Sequence, residues 1–100
     1  GTADALLDID GDGPFIVDWK TSKDIRSDDM IEQFCHQLGA YSLGLQCLTG
    51  IKPKYGAVVV ARRSGKPQIK LLNNLELRGA ETIFLDRVDR YFKNIDLAVV

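Results

Sequence analysis

The spacing of apolar residues changes period along this chain, and that switching restricts it to an α/β type of fold. Ala3, Ala5, Leu7 and Ile9 alternate with other residues, as in a half-buried strand spanning 2–9. The cluster Asp10-Gly11-Asp12-Gly13 then reads as a turn, because Asp and Gly tolerate the positive φ of tight hairpins. A second strand is expected over Phe15–Thr21, antiparallel to the first because the connection is so short. After a polar loop, Ser22–Asp28, the period lengthens. Met30, Phe34, Leu38, Tyr41, Leu45 and Leu48 step by three and four, predicting a helix over about 29–48. Gly50 suits the position just past its end, and Pro53 forbids its continuation.

The stretch Tyr55–Ala61 is almost wholly apolar and reads as a strand buried on both faces. Ser64-Gly65-Lys66-Pro67 turns the chain into a fourth strand, Gln68–Leu72. A last helix is expected over about 75–95, with Ile83, Phe84, Val88, Phe92 and Ile95 inward. The expectation is one α/β domain with a mixed β-sheet flanked by helices, in two or three layers. At 100 residues the chain has room for one core. Gly1 leads straight into a strand pattern, which suggests a core truncated at the N-terminus.

The chemistry concentrates in the first hairpin. Strand side chains alternate, so Ile16, Asp18 and Lys20 share one face while Phe15, Val17 and Trp19 share the other. A carboxylate inside an apolar strand is costly unless it is paired or bound to a metal. Asp4 lies in the partner strand, and a cation between Asp4 and Asp18 would relieve their repulsion. Hard oxygen ligands of this kind suit Mg²⁺ or Mn²⁺. Lys20 beside them has the charge to stabilise a phosphoryl transition state. The alternative from spacing alone is a structural Asp–Lys pair.

Three motifs in order carry a resemblance: Gly1-Thr2-Ala3-Asp4, then Phe15-Ile16-Val17-Asp18-Trp19-Lys20-Thr21-Ser22, then Gln37-Leu38-Gly39-Ala40-Tyr41. Together the series resembles the RecB-type exonuclease branch of the PD-(D/E)XK nuclease superfamily, and within it the mitochondrial genome-maintenance and phage exonucleases. The resemblance implies a restriction endonuclease-like core and a metal-dependent DNA exonuclease that prefers single-stranded ends. It implies Asp4 and Asp18 as metal ligands, with the Trp19 carbonyl as a further one, and Lys20 as the catalytic lysine. Gln37 and Tyr41 would stand beside the active site and hold the lysine or the DNA backbone. Thr21, in the same motif, and Lys23, just beyond it, are expected at the substrate. Family members carry a helix and a strand before the Gly-x-x-Asp strand, and these have no counterpart here. A missing N-terminal segment or a second chain would then complete the site. An intracellular setting follows, in a bacterial or phage-infected cytoplasm or the mitochondrial matrix. A structure-specific endonuclease, or a non-catalytic domain of the same fold binding DNA or a partner protein, are the rival readings.

Other patterns are weaker. Asp8-x-Asp10-x-Asp12-Gly13 opens like an EF-hand loop, but Trp19 stands where a bidentate Glu is required. His36, the one histidine, reads as a surface or packed residue. Cys35 and Cys47 read as reduced thiols, too few for a disulfide framework. The formal net charge is −1, so any grip on nucleic acid must be local. Two basic clusters offer one: Lys20, Lys23 and Arg26, and Arg62, Arg63, Lys66 and Lys70. No apolar run is long enough to span a bilayer.

Overall fold

The computed structural model describes the backbone of residues 5–8 and 13–99, and the side-chain surroundings of residues 13–93. Its elements are β1 (Ala5–Asp8), β2 (Pro14–Ser22), α1 (Asp28–Thr49), β3 (Tyr55–Arg62), β4 (Gln68–Leu72) and α2 (Asn74–Val99). The strands form one mixed sheet in the order β1-β2-β3-β4. β1 and β2 are antiparallel, β2 and β3 parallel with Asp18 opposite Val58, and β3 and β4 antiparallel. Helix α1 is therefore the crossover that a parallel strand pair demands.

Sequence signals account for the ends of α1. Ser27 is the N-cap and its side chain accepts from the Met30 amide; Asp28 and Asp29 favour the positive end of the helix dipole. Gly50 closes the helix at φ 76°, a left-handed conformation that glycine adopts without strain. For α2 the cap is a reciprocal pair: the Glu76 amide donates to Asn73 Oδ1 and the Asn73 amide donates to Glu76 Oε1.

Both helices lie on the same face of the sheet. A Cβ added at Gly56 would stand 2.7 Å from Leu38 Cδ2, on α1, and 3.5 Å from Leu77 Cδ1, on α2. Beneath them the core gathers Ile16, Cys35, Leu38, Val58, Val60, Leu72 and Leu77. Burial of a side chain such as Leu38 contributes roughly 2 kcal/mol. The architecture of the described residues is thus two layers. Along β3, Gly56, Val58 and Val60 are buried under the helices, whereas on the opposite face Ala57 is buried, Val59 half-buried and Ala61 exposed. The expected double-sided burial of this strand is met around Ala57 and lapses toward its C-terminal end.

The helix faces differ from the apolar pattern at several positions. Met30 and Leu48 point outward, Leu48 at 87 % exposure, and the buried positions of α1 are Cys35, Leu38, Gly39 and Ser42. On α2 the buried positions are Leu77, Ala80 and Glu81, while Phe92 and Ile83 are exposed and Phe84 and Val88 half-buried. The helices cross so closely at Gly39 that a Cβ there would lie 2.6 Å from the Ala80 carbonyl oxygen. Small residues, rather than bulky ones, define this contact. Behind it the buried Glu81 carboxylate accepts from Ser42 Oγ at 2.6 Å and Gln46 Nε2 at 2.9 Å, and Arg78 pairs with it at 3.0 Å. Farther along α2, the pairs Asp86–Arg90 and Asp89–Lys93 lie on the exposed surface. No helix among the described residues is long and apolar enough to cross a membrane.

Candidate active site

The strand alternation of β2 places Ile16, Asp18, Lys20 and Ser22 under the helices and turns Trp19 to the open face at 51 % exposure. Asp18 is fully buried. Lys20 Nζ stands 3.1 Å from its Oδ2, yet neither carboxylate oxygen has a hydrogen-bond partner among the described residues. A carboxylate has four acceptor positions; among the described residues one oxygen meets only the Lys20 ammonium and the other meets no donor.

Lys20 is held from three sides. Its Nζ pairs with Asp18, donates to Gln37 Oε1 at 3.0 Å, and lies 4.8 Å above the Phe34 ring centroid. Gln37 and Phe34 both come from α1, so the helix that bridges β2 and β3 also fixes the lysine. Immobilising so flexible a side chain opposes up to about 2 kcal/mol of rotamer entropy, and three simultaneous contacts offset it.

The structure therefore brings together Asp18, Lys20 and Gln37 of the residues expected at the site. Asp4 lies outside the described residues; the nearest described pair is Ala5↔Val17, adjacent in sequence to both carboxylates. The Trp19 carbonyl belongs to the backbone between Asp18 and Lys20. Tyr41 is half-buried and packs against the core cluster. Thr21 and Lys23 are exposed and line a separate cleft with Ser22, Ala61, Arg62 and Arg63. The carboxylates of the EF-hand-like turn, Asp10 and Asp12, also lie outside the described residues. Among the described residues no cluster of three or more His, Cys, Asp or Glu is poised to hold a metal.

A further cavity of about 520 Å³ opens between α1, β4 and α2, away from Asp18 and Lys20. Cys35, His36, Glu32, Lys70 and Glu76 are among its lining residues. His36 lies beside Arg87, whose Nη2 is 3.3 Å from Nδ1, and 3.9 Å from Glu32. Burial pushes the Cys35 thiol above its usual pKa, and the nearby Lys70 charge only partly opposes that shift. Cys47 is exposed, and both thiols are free. Since the thiolate is the nucleophile, iodoacetamide at pH 8 will label Cys47 in the native chain and spare Cys35 until denaturant is added. Mass mapping of the two peptides checks this; equal native labelling would contradict the burial of Cys35.

Neither models of known protein families nor curated proteins give a match to this chain.

Proposed function

We propose that the chain is a metal-dependent DNA exonuclease with a PD-(D/E)XK core, hydrolysing phosphodiester bonds at single-stranded ends through Asp4, Asp18 and Lys20. One observation carries the reading: a buried Asp18 whose two oxygens have no hydrogen-bond partner among the described residues, beside an immobilised lysine. A purely structural ion pair so deeply buried would be expected to satisfy its remaining acceptors. The unmet oxygens fit a hard cation by donor type, Mg²⁺ or Mn²⁺, with Asp18 as the described ligand and Asp4 as its proposed companion.

When bound, such an ion would supply Lewis acidity and neutralise phosphate charge. The chain's own residues do the rest. In the hydrolysis a water oxygen adds to phosphorus, the bond to the 3′ oxygen breaks, and the departing oxygen takes up a proton. Lys20 Nζ faces the negative charge that builds on the phosphoryl oxygens. Gln37 and Phe34 hold that ammonium in place, so little reorganisation is needed as charge develops. A non-catalytic DNA- or protein-binding domain is the rival reading, favoured by the absence of a three-ligand cluster among the described residues.

Linear and circular single-stranded DNA, each with Mg²⁺, Mn²⁺ or chelator, separate these readings. Linear DNA is expected to be degraded from its ends, the circle to survive, and chelator to stop the reaction. Metal at ten times its Kd should stabilise the fold by about 1.4 kcal/mol, a shift of several degrees in Tm for a chain of this size. Asp18→Asn should abolish that shift. Equal cutting of the circle would make the protein an endonuclease. No cleavage and no metal-dependent shift would favour the binding domain.

A further inference from the structure

The crevice beyond the carboxyl ends of parallel strands is where open α/β sheets place ligands. Here β2 and β3 are the parallel pair, and at their ends lies a cleft of about 340 Å³ lined by Thr21, Ser22, Lys23, Ala61, Arg62 and Arg63. Three residues with cationic side chains thus line one small space. None of the three forms an ion pair among the described residues, nor does Asp24, the carboxylate next in sequence. Like charges gathered without a counter-charge repel one another and favour an anion between them.

The walls of the cleft are fixed from several directions. The Arg63 amide donates to the Ser22 carbonyl at 3.3 Å, joining the two strand ends. Ser22 Oγ donates to the Asp24 carbonyl, folding the loop back on the strand. Arg62 Nε donates to the Lys66 carbonyl at 2.8 Å, so its guanidinium is anchored. The Gln68 side-chain amide brackets the backbone of Arg26, accepting from its N–H at 2.8 Å and donating to its carbonyl at 3.0 Å. This ties the loop that carries Lys23 to β4. The charges are therefore held on a frame that exists before any ligand arrives.

We infer that this cleft is a phosphate-binding subsite that grips the DNA strand at a distance from the scissile bond. The choice of DNA as the source of the phosphate rests on the nuclease reading. Ser22 lies four residue steps beyond Asp18 along β2, about 13 Å at ~3.3 Å per residue. That is the length of about four stacked nucleotides at ~3.4 Å each. A single strand can therefore occupy both places at once, and a chain of net charge −1 needs a local cationic site of this kind to hold it.

The test measures binding of a fluorescent oligothymidylate by anisotropy, in chelator, over a series of salt concentrations. Lys23→Ala/Arg63→Ala should weaken binding about tenfold at 0.1 M salt and lower the slope of log K against log salt by about 1.4, two phosphate contacts at ~0.7 each. Lys52→Ala/Lys54→Ala removes the same charge from exposed positions just before β3, at the other end of that strand from the cleft, and should leave both quantities nearly unchanged. Both double variants alter exposed side chains, and far-UV circular dichroism checks their fold. Oligonucleotides with and without a 5′ phosphate distinguish a terminal from an internal phosphate as the ligand. Equal weakening by the two double variants, or no binding by the unaltered chain at low salt, overturns the subsite. Cleavage is not read in this assay. Cleft-dependent binding without nuclease activity would overturn the nuclease reading alone; nuclease activity without cleft dependence would overturn the subsite alone.

Discussion

Lys20→Ala is expected to lower the rate of DNA cleavage by a factor on the order of 10² or more, because a charge-stabilising donor in a site shielded from water has an effect of that size. Affinity for single-stranded DNA in chelator should change far less, since Lys20 Nζ is only one cation and is already engaged with Asp18 and Gln37. Alanine leaves the buried Asp18 charge unpaired, so unfolding in urea must be measured beside the kinetics. Gln37→Ala offers a second route. It removes the acceptor that holds Nζ at 3.0 Å but leaves the Asp18–Lys20 pair. A partial loss of kcat is expected from it, with the melting temperature nearly unchanged. Near-normal turnover in a folded Lys20→Ala protein would remove this lysine from the mechanism.

The second large effect concerns stability. Gly39→Ala should destabilise the fold by about 3 kcal/mol, the upper part of the range for overpacking a close contact. The added methyl would meet backbone atoms of Ala80 and Glu81, which cannot turn aside as a side-chain tip can. Relief requires the two helices to separate, and α1 is the helix that carries Gln37 and Phe34 to Lys20. Gly44, in the same helix, has nothing within 4 Å of a built Cβ. Gly44→Ala should therefore stabilise by about 0.5–1 kcal/mol through helix propensity alone. Opposite signs from one chemical change, read by urea unfolding, would locate the tight crossing; a neutral Gly39→Ala would refute it.

Much of the framework is legible in the residues. Ser27, Gly50 and Pro53 mark the ends of α1 by their local chemistry, and the alternation in β2 places Asp18 and Lys20 on one face. The face of α1 is less readable. Met30 and Leu48 fit an apolar stripe, but Gly39 and Ser42 take buried positions because a close helix crossing selects small side chains. The cap of α2 carries a local signal, Asn73 followed three residues later by Glu76, in the order of a capping box. The Glu81 network had none, since Ser42 and Gln46 meet that carboxylate only after α1 and α2 pack. The cleft was half visible as two basic clusters. Lys23 and Arg63 belong to segments some 40 residues apart, and only the parallel register of β2 and β3 brings those segments together.

The open face of β2 bears on how reliably the strand finds its place. Phe15, Val17 and Trp19 are at least as apolar as the residues on the covered face, which include Asp18 and Lys20. Val17 is buried on that face and Phe15 half-buried, so the native alignment leaves Trp19 as its exposed apolar residue. A slip by one residue would carry Trp19 under the helices and bring Asp18 and Lys20 out, since every side chain would change faces. The native alignment must then be enforced by other contacts, chiefly pairing with β3 and the grip of Gln37 on Lys20. At Asp18, Trp19 and Lys20 the residues proposed for chemistry work against the apolar preference of their own segment. Its correct threading is therefore a collective property of the sheet and α1, and damage to either would be felt first as a competing alignment of β2 rather than as simple unfolding.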